Sequence, residues 1–383
     1  MLVDTFKASL DPSLFKLYRK YLYSRHKAAG GLSQAEVIHE VAKERLAKMS
    51  DKFRKNAPYF DPGEQLHVKI AGHALKSPVG MAAGFDKDCE MLAPTSYIFG
   101  YLNPGSVLQN PRAGNPQKRL AVDDERQALL NAQGYPHKGL YHTVKNLRKF
   151  SQGPRGHAKI LLNFSGITDT YTEDAVLDAC ADIIHRTGPY VDFGFEDNRA
   201  SPNTDFNKVL QSPEFTKKMA DLMNSHVSGG LLKASKVAPY SSLPPKDDER
   251  QACMKSIKVF YENGGQAVVI GNTRPVNTGT SPPTKGFARS VAGESGRPLF
   301  PYMLKMVQDV HKAFPDLAII ASGGIWNGED AWQAYQKGAT LVQLYTALTF
   351  QGFGVVREIH ETLKKRLAGQ SLQGFIDSRG ALR

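Results

Sequence analysis

The segment YVDFGFEDNRASPNT, residues 190–204, joins a short apolar run to a polar loop, and this strand-to-loop pattern decides the predicted fold. Its first six residues include four apolar side chains, a short run typical of a strand. Pro202 disfavours a helical conformation at Ser201, so the polar residues after the run are expected in a loop that leaves a strand. Asparagine and serine beside proline are also ordinary turn-forming residues, so this segment alone does not distinguish a turn from a functional site.

Short apolar runs of this kind recur along the chain. Candidate strands lie at residues 78–83, 97–107, 160–164, 190–195, 231–237, 267–270, 317–321 and 340–344. Stretches with helical periodicity separate them, at residues 138–150, 172–187, 213–226, 248–263, 301–314, 328–337 and 355–368, with a shorter helix at 88–95. Alternating strands and helices predict parallel pairing, and eight units in about 300 residues predict an α/β fold, the closed (β/α)8 TIM barrel. An open doubly wound sheet is the alternative, but the first strand is followed by AAGFDKD rather than by GxGxxG.

Residues 1–60 are predicted to form a small N-terminal two-helix extension, and residues 61–383 the barrel domain. Asp11 and Pro12 are typical of a helix start, and Ser33 with Glu36 forms the sequence pattern of a capping box. The first 56 residues hold 12 Lys or Arg against 6 Asp or Glu, which is half of the net charge of +12. We expect either a helical cap on the barrel or a basic amphipathic pair that inserts into a lipid surface and admits an apolar ligand.

Composition and charge exclude several classes of function. The basic residues form no run interleaved with aromatic residues, so no nucleic-acid site is predicted. Cys89, Cys180 and Cys253 are far apart and have no CxxC motif, which argues for a reducing compartment and against a zinc or iron–sulfur site. No metal site is predicted. No apolar run approaches 18 residues, so no bilayer-spanning helix is expected.

Polar residues follow the predicted strands at their carboxyl ends, where (β/α)8 barrels place their active-site residues. Six consecutive strands end with Lys87, Ser106, Asn163, Asn198 and Ser201, Lys236, and Asn272 with Thr273. The last two strands end in Ser322-Gly323-Gly324 and in Gln343-Leu344-Tyr345-Thr346. Glycine lets backbone N–H groups approach an anion, and barrels commonly bind phosphate after strands 7 and 8. A glycine pair is also common in tight turns.

Several motifs resemble the membrane-associated, quinone-linked (class 2) dihydroorotate dehydrogenases, FMN enzymes of pyrimidine synthesis. The similar segments are PVGMAAGFDK (78–87), GSV (105–107), GNP (114–116), SPNT (201–204), KVAP (236–239), GRPL (296–299) and GATLVQLYTALT (338–349). The likeness runs from Leu10 to the last helix. It implies an FMN-dependent enzyme that oxidises dihydroorotate to orotate and passes the electrons to a ubiquinone-type quinone.

The resemblance also implies roles for individual residues. Ser201 would be the base that takes a proton from C5 of dihydroorotate while a hydride passes from C6 to the flavin. Substrate would be bound by Lys87, Asn131, Asn198, Asn203, Asn272 and Thr273. FMN would be bound by Ala83, Gly84, Ser106, Asn163 and Lys236, and its phosphate by Gly296, Gly323, Gly324, Tyr345 and Thr346. Quinone would enter through the N-terminal helices, past Tyr345 and Thr349.

The same resemblance implies a place in the cell and marks departures from the family pattern. A membrane-associated protein is expected, at the mitochondrial inner membrane in a eukaryote or the cytoplasmic membrane in a bacterium. Val122 stands where an arginine commonly meets the quinone, and Ala132-Gln133 replaces an Arg-Tyr pair. Arg199 adjoins the catalytic loop. Two alternatives therefore remain: a divergent FMN-barrel paralogue with another acceptor or cyclic substrate, and a catalytically silent FMN-binding protein.

Overall fold

The computed structural model describes residues 5–29, 33–116, 118–167, 172–199, 210, 212–280 and 282–381. Eight parallel strands within these residues close into a barrel, which confirms the predicted α/β barrel. In chain order the barrel strands are β3 (Val79–Met81), β4 (Tyr101–Leu102), β7 (Lys159–Phe164), β8 (Gly194–Asn198), β9 (Leu232–Val237), β10 (Ala267–Ile270), β13 (Ala318–Ser322) and β14 (Leu341–Leu344).

Most barrel strands are buried along their whole length because helices cover the outside and side chains fill the inside. The covering helices are α5 (Leu92–Thr95), α6 (Leu140–Gln152), α7 (Glu173–Thr187), α8 (Pro213–His226), α9 (Asp247–Glu262), α10 (Phe300–Ala313), α11 (Gly328–Lys337), α12 (Thr346–Gln351), α13 (Gly354–Leu367) and α14 (Leu372–Ala381). β8 is the unusual strand, since its sequence GFEDN places two carboxylates among fully buried positions.

Within the described residues two antiparallel sheets accompany the barrel, and neither was predicted from the sequence. β1 (Val68–Ile70) pairs with β2 (His73–Leu75). A four-stranded sheet combines β5 (Leu120–Asp123), β6 (Ala128–Asn131), β11 (Arg274–Asn277) and β12 (Val291–Gly296). In this sheet Asn131 pairs with Gly293, so residues far apart in sequence meet beside the barrel mouth.

The described part of the N-terminal region contains the two predicted helices and two further short ones. They are α1 (Thr5–Leu10), α2 (Pro12–Arg25), α3 (Gln34–Lys48) and α4 (Ser50–Lys55). The Asp11 carboxylate accepts hydrogen bonds from the first turn of α2, and Ser33 and Glu36 form the predicted capping box of α3. Phe53 is fully buried against Phe6, Phe60 and Phe353, so the region is joined to the barrel core.

Candidate active site

A cavity opens at the carboxyl ends of the barrel strands, and most of the sequence-predicted site residues line it. They are Ala83, Gly84, Lys87, Ser106, Asn131, Asn198, Lys236, Asn272, Thr273, Gly296, Gly323, Gly324, Tyr345 and Thr346. Ser201 and Asn203 lie outside the described residues. Asn163 is described but does not line the cavity; its amide instead donates a hydrogen bond to Glu196.

A row of polar side chains joins the ends of three barrel strands on one side of the cavity. The Asn272 amide donates to Asn198 Oδ1 at 3.0 Å, and the Asn198 amide donates to Ser106 Oγ at 2.8 Å. Asn131 reaches the cavity from β6, and its amide donates to the Gly293 carbonyl at 3.2 Å. Carboxamides both donate and accept hydrogen bonds, so this wall suits a ligand edged with carbonyl and N–H groups.

Lys87 supplies one of the two cationic side chains that line the cavity among the described residues. Its Nζ donates to Gln133 Oε1 at 2.9 Å. Burial lowers the pKa of Lys87 to about 8, opposed by Asp88 and reinforced by Lys43 and Arg119. The lysine is therefore mostly charged at neutral pH and loses its charge in mildly alkaline solution.

Lys236 supplies the other cation, and a buried carboxylate stands behind it. Lys236 Nζ lies 3.8 Å from Glu196 Oε1, and Glu196 is fully buried. Glu196 also accepts hydrogen bonds from the amides of Asn163, at 2.6 Å, and Asn103. Burial raises the pKa of Glu196, while Lys236 and the two amides act to lower it.

Arg199 is buried, and its guanidinium donates four hydrogen bonds to the described part of the protein. It pairs with Asp197 at 2.5 Å and donates to the Leu210 carbonyl and Thr216 Oγ1, each at 2.9 Å. It also donates to Ser235 Oγ at 3.2 Å. Burial raises the pKa of Asp197, and Arg199 counteracts this rise. Arg199 does not line the cavity.

The ends of β13 and β14 form an anion-compatible corner of the cavity. Gly323 and Gly324 have φ angles of 144° and 73°, in the region that favours glycine. A Cβ atom on Gly324 would lie 2.4 Å from the Phe300 nitrogen, so no other residue fits without rearrangement. Ser295 and Thr346 share a hydrogen bond of 2.9 Å between their hydroxyl groups and complete this corner.

A second, mainly apolar cavity separates α2 and α3 from the barrel. Its apolar walls include Phe15, Leu22, Ile38, Leu46, Val122, Leu129, Leu348 and Phe353. Tyr345, Leu120 and Leu129 line both cavities, so the two are neighbours. His39 faces the second cavity, and burial lowers its pKa to about 3, so it is neutral at physiological pH. Among the described helices, none has the length and apolar character needed to cross a bilayer.

A sequence model of the family described as dihydroorotate dehydrogenase matches residues 65–367. The chain belongs to the dihydroorotate dehydrogenase family. Among similar curated proteins, the dihydroorotate dehydrogenase (quinone) of Erythrobacter litoralis is 30% identical over 353 residues, covering 90% of this chain and 97% of that protein. The mitochondrial dihydroorotate dehydrogenase (quinone) of Mus musculus is 32% identical over 338 residues, covering 84% and 81%.

Solved structures of the family show the same fold. Dihydroorotate dehydrogenase from Eimeria tenella, in complex with ferulenol, superposes with a TM-score of 0.73 at 25% identity, covering 89% of this chain and 96% of that one. Its ligand-free form also gives a TM-score of 0.73, at 26% identity. The resemblance that the sequence motifs suggested is therefore confirmed at the level of the family and the fold.

Sequence reasoning missed two features of this dihydroorotate dehydrogenase family member. Gln133, noted only as a departure, is the hydrogen-bond partner of Lys87. Glu196, noted only as part of a polar stretch, is the buried partner of Lys236. A carboxylate two residues before the end of an otherwise buried strand was the available signal for Glu196, because such a group requires a partner.

Proposed function

We propose that this protein oxidises dihydroorotate to orotate and passes the electrons to a quinone, in pyrimidine biosynthesis. The character of the first cavity carries this proposal. Lys87, Lys236 and three asparagines line it, and no carboxylate does so among the described residues. A cyclic anion with carbonyl and N–H edges, such as dihydroorotate, matches this lining.

FMN is the cofactor we propose for this cavity, and its described residues fit that group. The phosphate would lie at the corner of Gly323 and Gly324, whose N–H groups have no acceptor among the described residues. Lys236 would face the flavin, where positive charge favours the reduced form. When bound, FMN would supply the acceptor for a hydride and the route for electrons to the quinone.

Substrate binding and proton removal are assigned to separate groups. Asn131, Asn198 and Asn272, with Thr273 and Lys87, would hold the carboxylate and the pyrimidine edge. Ser201, with Asn203 as a further substrate contact, would act at the substrate as the base. A serine is a weak base, so it needs a site with little water and a hydrogen-bonded path for the proton.

The second cavity is the proposed quinone site, and residues 1–60 are its access segment. Val122 of β5 lines this cavity, so the four-stranded sheet offers no arginine at that position. Arg19 of α2 lines it instead, and the Nη2 of Arg19 is buried without a hydrogen-bond partner among the described residues. A quinone carbonyl is the type of acceptor that this donor lacks.

A membrane surface is the proposed source of the quinone. Leu14 and Leu17 of α2 are 42% and 59% exposed, and Lys16 and Lys20 are exposed on the same helix. Apolar side chains beside lysines suit a lipid surface that carries negative charge. We therefore propose membrane association, at the mitochondrial inner membrane in a eukaryote or the cytoplasmic membrane in a bacterium.

Anaerobic reduction of the purified protein tests the proposal. The protein should be yellow, dihydroorotate should bleach it, and a quinone should restore the colour. A yellow protein that dihydroorotate never bleaches would refute this substrate, and a colourless protein that binds no added FMN would refute the cofactor. Bleaching without reoxidation by quinone would favour another electron acceptor, the alternative that Val122 motivates.

A further inference from the structure

Glu196 places a negative charge beside Lys236, a cationic residue that lines the first cavity. It lies in the middle of β8, is fully buried, and does not line the cavity itself. Lys236 lies between this carboxylate and the cavity, with its Nζ 3.8 Å from Glu196 Oε1. Among the described side chains, Glu196 is the ion-pair partner of Lys236.

The surroundings of Glu196 are built to hold a carboxylate in one position. Asn163 and Asn103 each donate an amide hydrogen to one of its two oxygens. Both asparagine Oδ1 atoms have no hydrogen-bond partner among the described residues, so the two amides are oriented toward the carboxylate alone. A buried ionised group is costly unless it is paired and hydrogen-bonded, and Glu196 satisfies both conditions.

We propose that Glu196 is a positioning residue that fixes Lys236 and limits the positive charge that this lysine presents to the bound cofactor. The inference rests on the proposed function, in which Lys236 faces FMN. Two opposite charges 3.8 Å apart attract strongly inside a protein, so the carboxylate both restrains the ammonium group and cancels part of its field in the cavity.

The consequence is a lower reduction potential for the bound flavin. Reduced flavin carries more negative charge than oxidised flavin, so a cation stabilises the reduced form and an anion behind that cation opposes it. Glu196 therefore weakens the preference for the reduced form that Lys236 alone would create. Onward transfer of electrons to the acceptor becomes more favourable, at the expense of the driving force for oxidation of the substrate.

Glu196→Gln in the FMN-loaded protein is the direct test. The substitution keeps size and removes charge, and rotation of one asparagine amide gives the new Nε2 group an acceptor, because both Oδ1 atoms are unpartnered. The midpoint potential of the bound flavin should rise. We expect at least a tenfold shift of the equilibrium toward reduced flavin, about 30 mV for a two-electron couple.

Three further variants separate this effect from loss of structure. Glu196→Asp keeps the charge and should retain a potential close to that of the unsubstituted protein. Glu196→Ala also removes the charge and should raise the potential, which keeps the test valid if Glu196→Gln does not fold. Glu90→Gln, a carboxylate paired with Lys43 and Lys138 away from the first cavity, should leave the potential unchanged.

A second measurement uses sulfite, which adds to oxidised flavin and leaves negative charge on the ring system. Its affinity should increase about tenfold in Glu196→Gln, in step with the potential. Unchanged potential and sulfite affinity in yellow, folded Glu196→Gln and Glu196→Ala proteins would overturn the inference and leave the proposed function intact. An unsubstituted protein that binds no flavin would overturn both.

Discussion

Lys87 lines the first cavity and has a pKa close to physiological pH. Burial moves its pKa down to about 8, and its Nζ bonds to the neutral amide of Gln133 rather than to a carboxylate. A buried lysine without a close anionic partner holds its proton less tightly. The positive charge available to an anionic ligand therefore depends on pH.

Binding of orotate should weaken as the solution becomes alkaline. The Lys87 pKa is lowered, so the lysine is charged below about pH 8 and neutral above it. If the charged form binds the carboxylate, the dissociation constant of orotate should rise about tenfold between pH 7 and pH 9. Titration of flavin absorbance with orotate measures this. Lys87→Gln should remove the pH dependence of the orotate dissociation constant. Lys138→Gln changes a lysine outside the first cavity and should retain this dependence. A dissociation constant that does not change with pH in the unsubstituted protein would contradict the proposed role of Lys87.

Ser201→Ala should separate flavin binding from flavin reduction. The variant should stay yellow, and rapid mixing with dihydroorotate should show reduction slowed by at least about 10²-fold, the effect expected on loss of a positioned base. Ser165→Ala is a matched control, because Ser165 is buried near the end of a neighbouring strand and does not line the first cavity. Equal rates in Ser201→Ala and the unsubstituted protein would remove Ser201 from this role.

Strand β8 shows how much the sequence could predict at the scale of one element. Its position, its direction and the presence of Asn198 at its end follow from the apolar run and the loop after it. The partners that other strands supply do not: Glu196 meets Lys236 of β9, and Asp197 accepts a hydrogen bond from Ser235 of the same strand. Local sequence predicts that a buried charge needs a partner, and only the barrel closure selects which one.

Loss of Arg199 should destabilise the barrel around the end of β8. Arg199→Met leaves the Asp197 carboxylate buried without its partner, which costs about 3–5 kcal/mol of unfolding free energy. Denaturant unfolding followed by tryptophan fluorescence measures the loss. The double variant Asp197→Leu, Arg199→Met removes both charges and should recover most of it. A double variant as unstable as the single one would show that the hydrogen bonds of Arg199 to Leu210 and Thr216 dominate instead.

The whole molecule places two cavities of different chemistry side by side at one end of a barrel. The sequence predicted the eight barrel strands and the two capped helices, since both depend on local patterns. It did not predict the four-stranded sheet, in which β6 pairs with β12 across about 160 residues. That sheet supplies Asn131 to the polar cavity and Val122 to the apolar one, so the boundary between the cavities depends on long-range pairing.

Membrane attachment should be separable from chemistry by changes on the outer face of α2. Leu14→Glu with Leu17→Glu places two carboxylates on exposed positions, so folding should be preserved while binding to vesicles that contain anionic lipid is lost. Turnover with a long-chain quinone in those vesicles should fall at least about tenfold, because the quinone stays in the lipid. Reduction of a water-soluble dye should continue at the normal rate.

Leu243→Glu, a change at an exposed leucine on the loop after β9, is the control and should alter neither activity. Equal loss of dye and quinone turnover would mean that α2 supports the first cavity rather than membrane access, and unchanged vesicle binding would mean that another surface docks the protein.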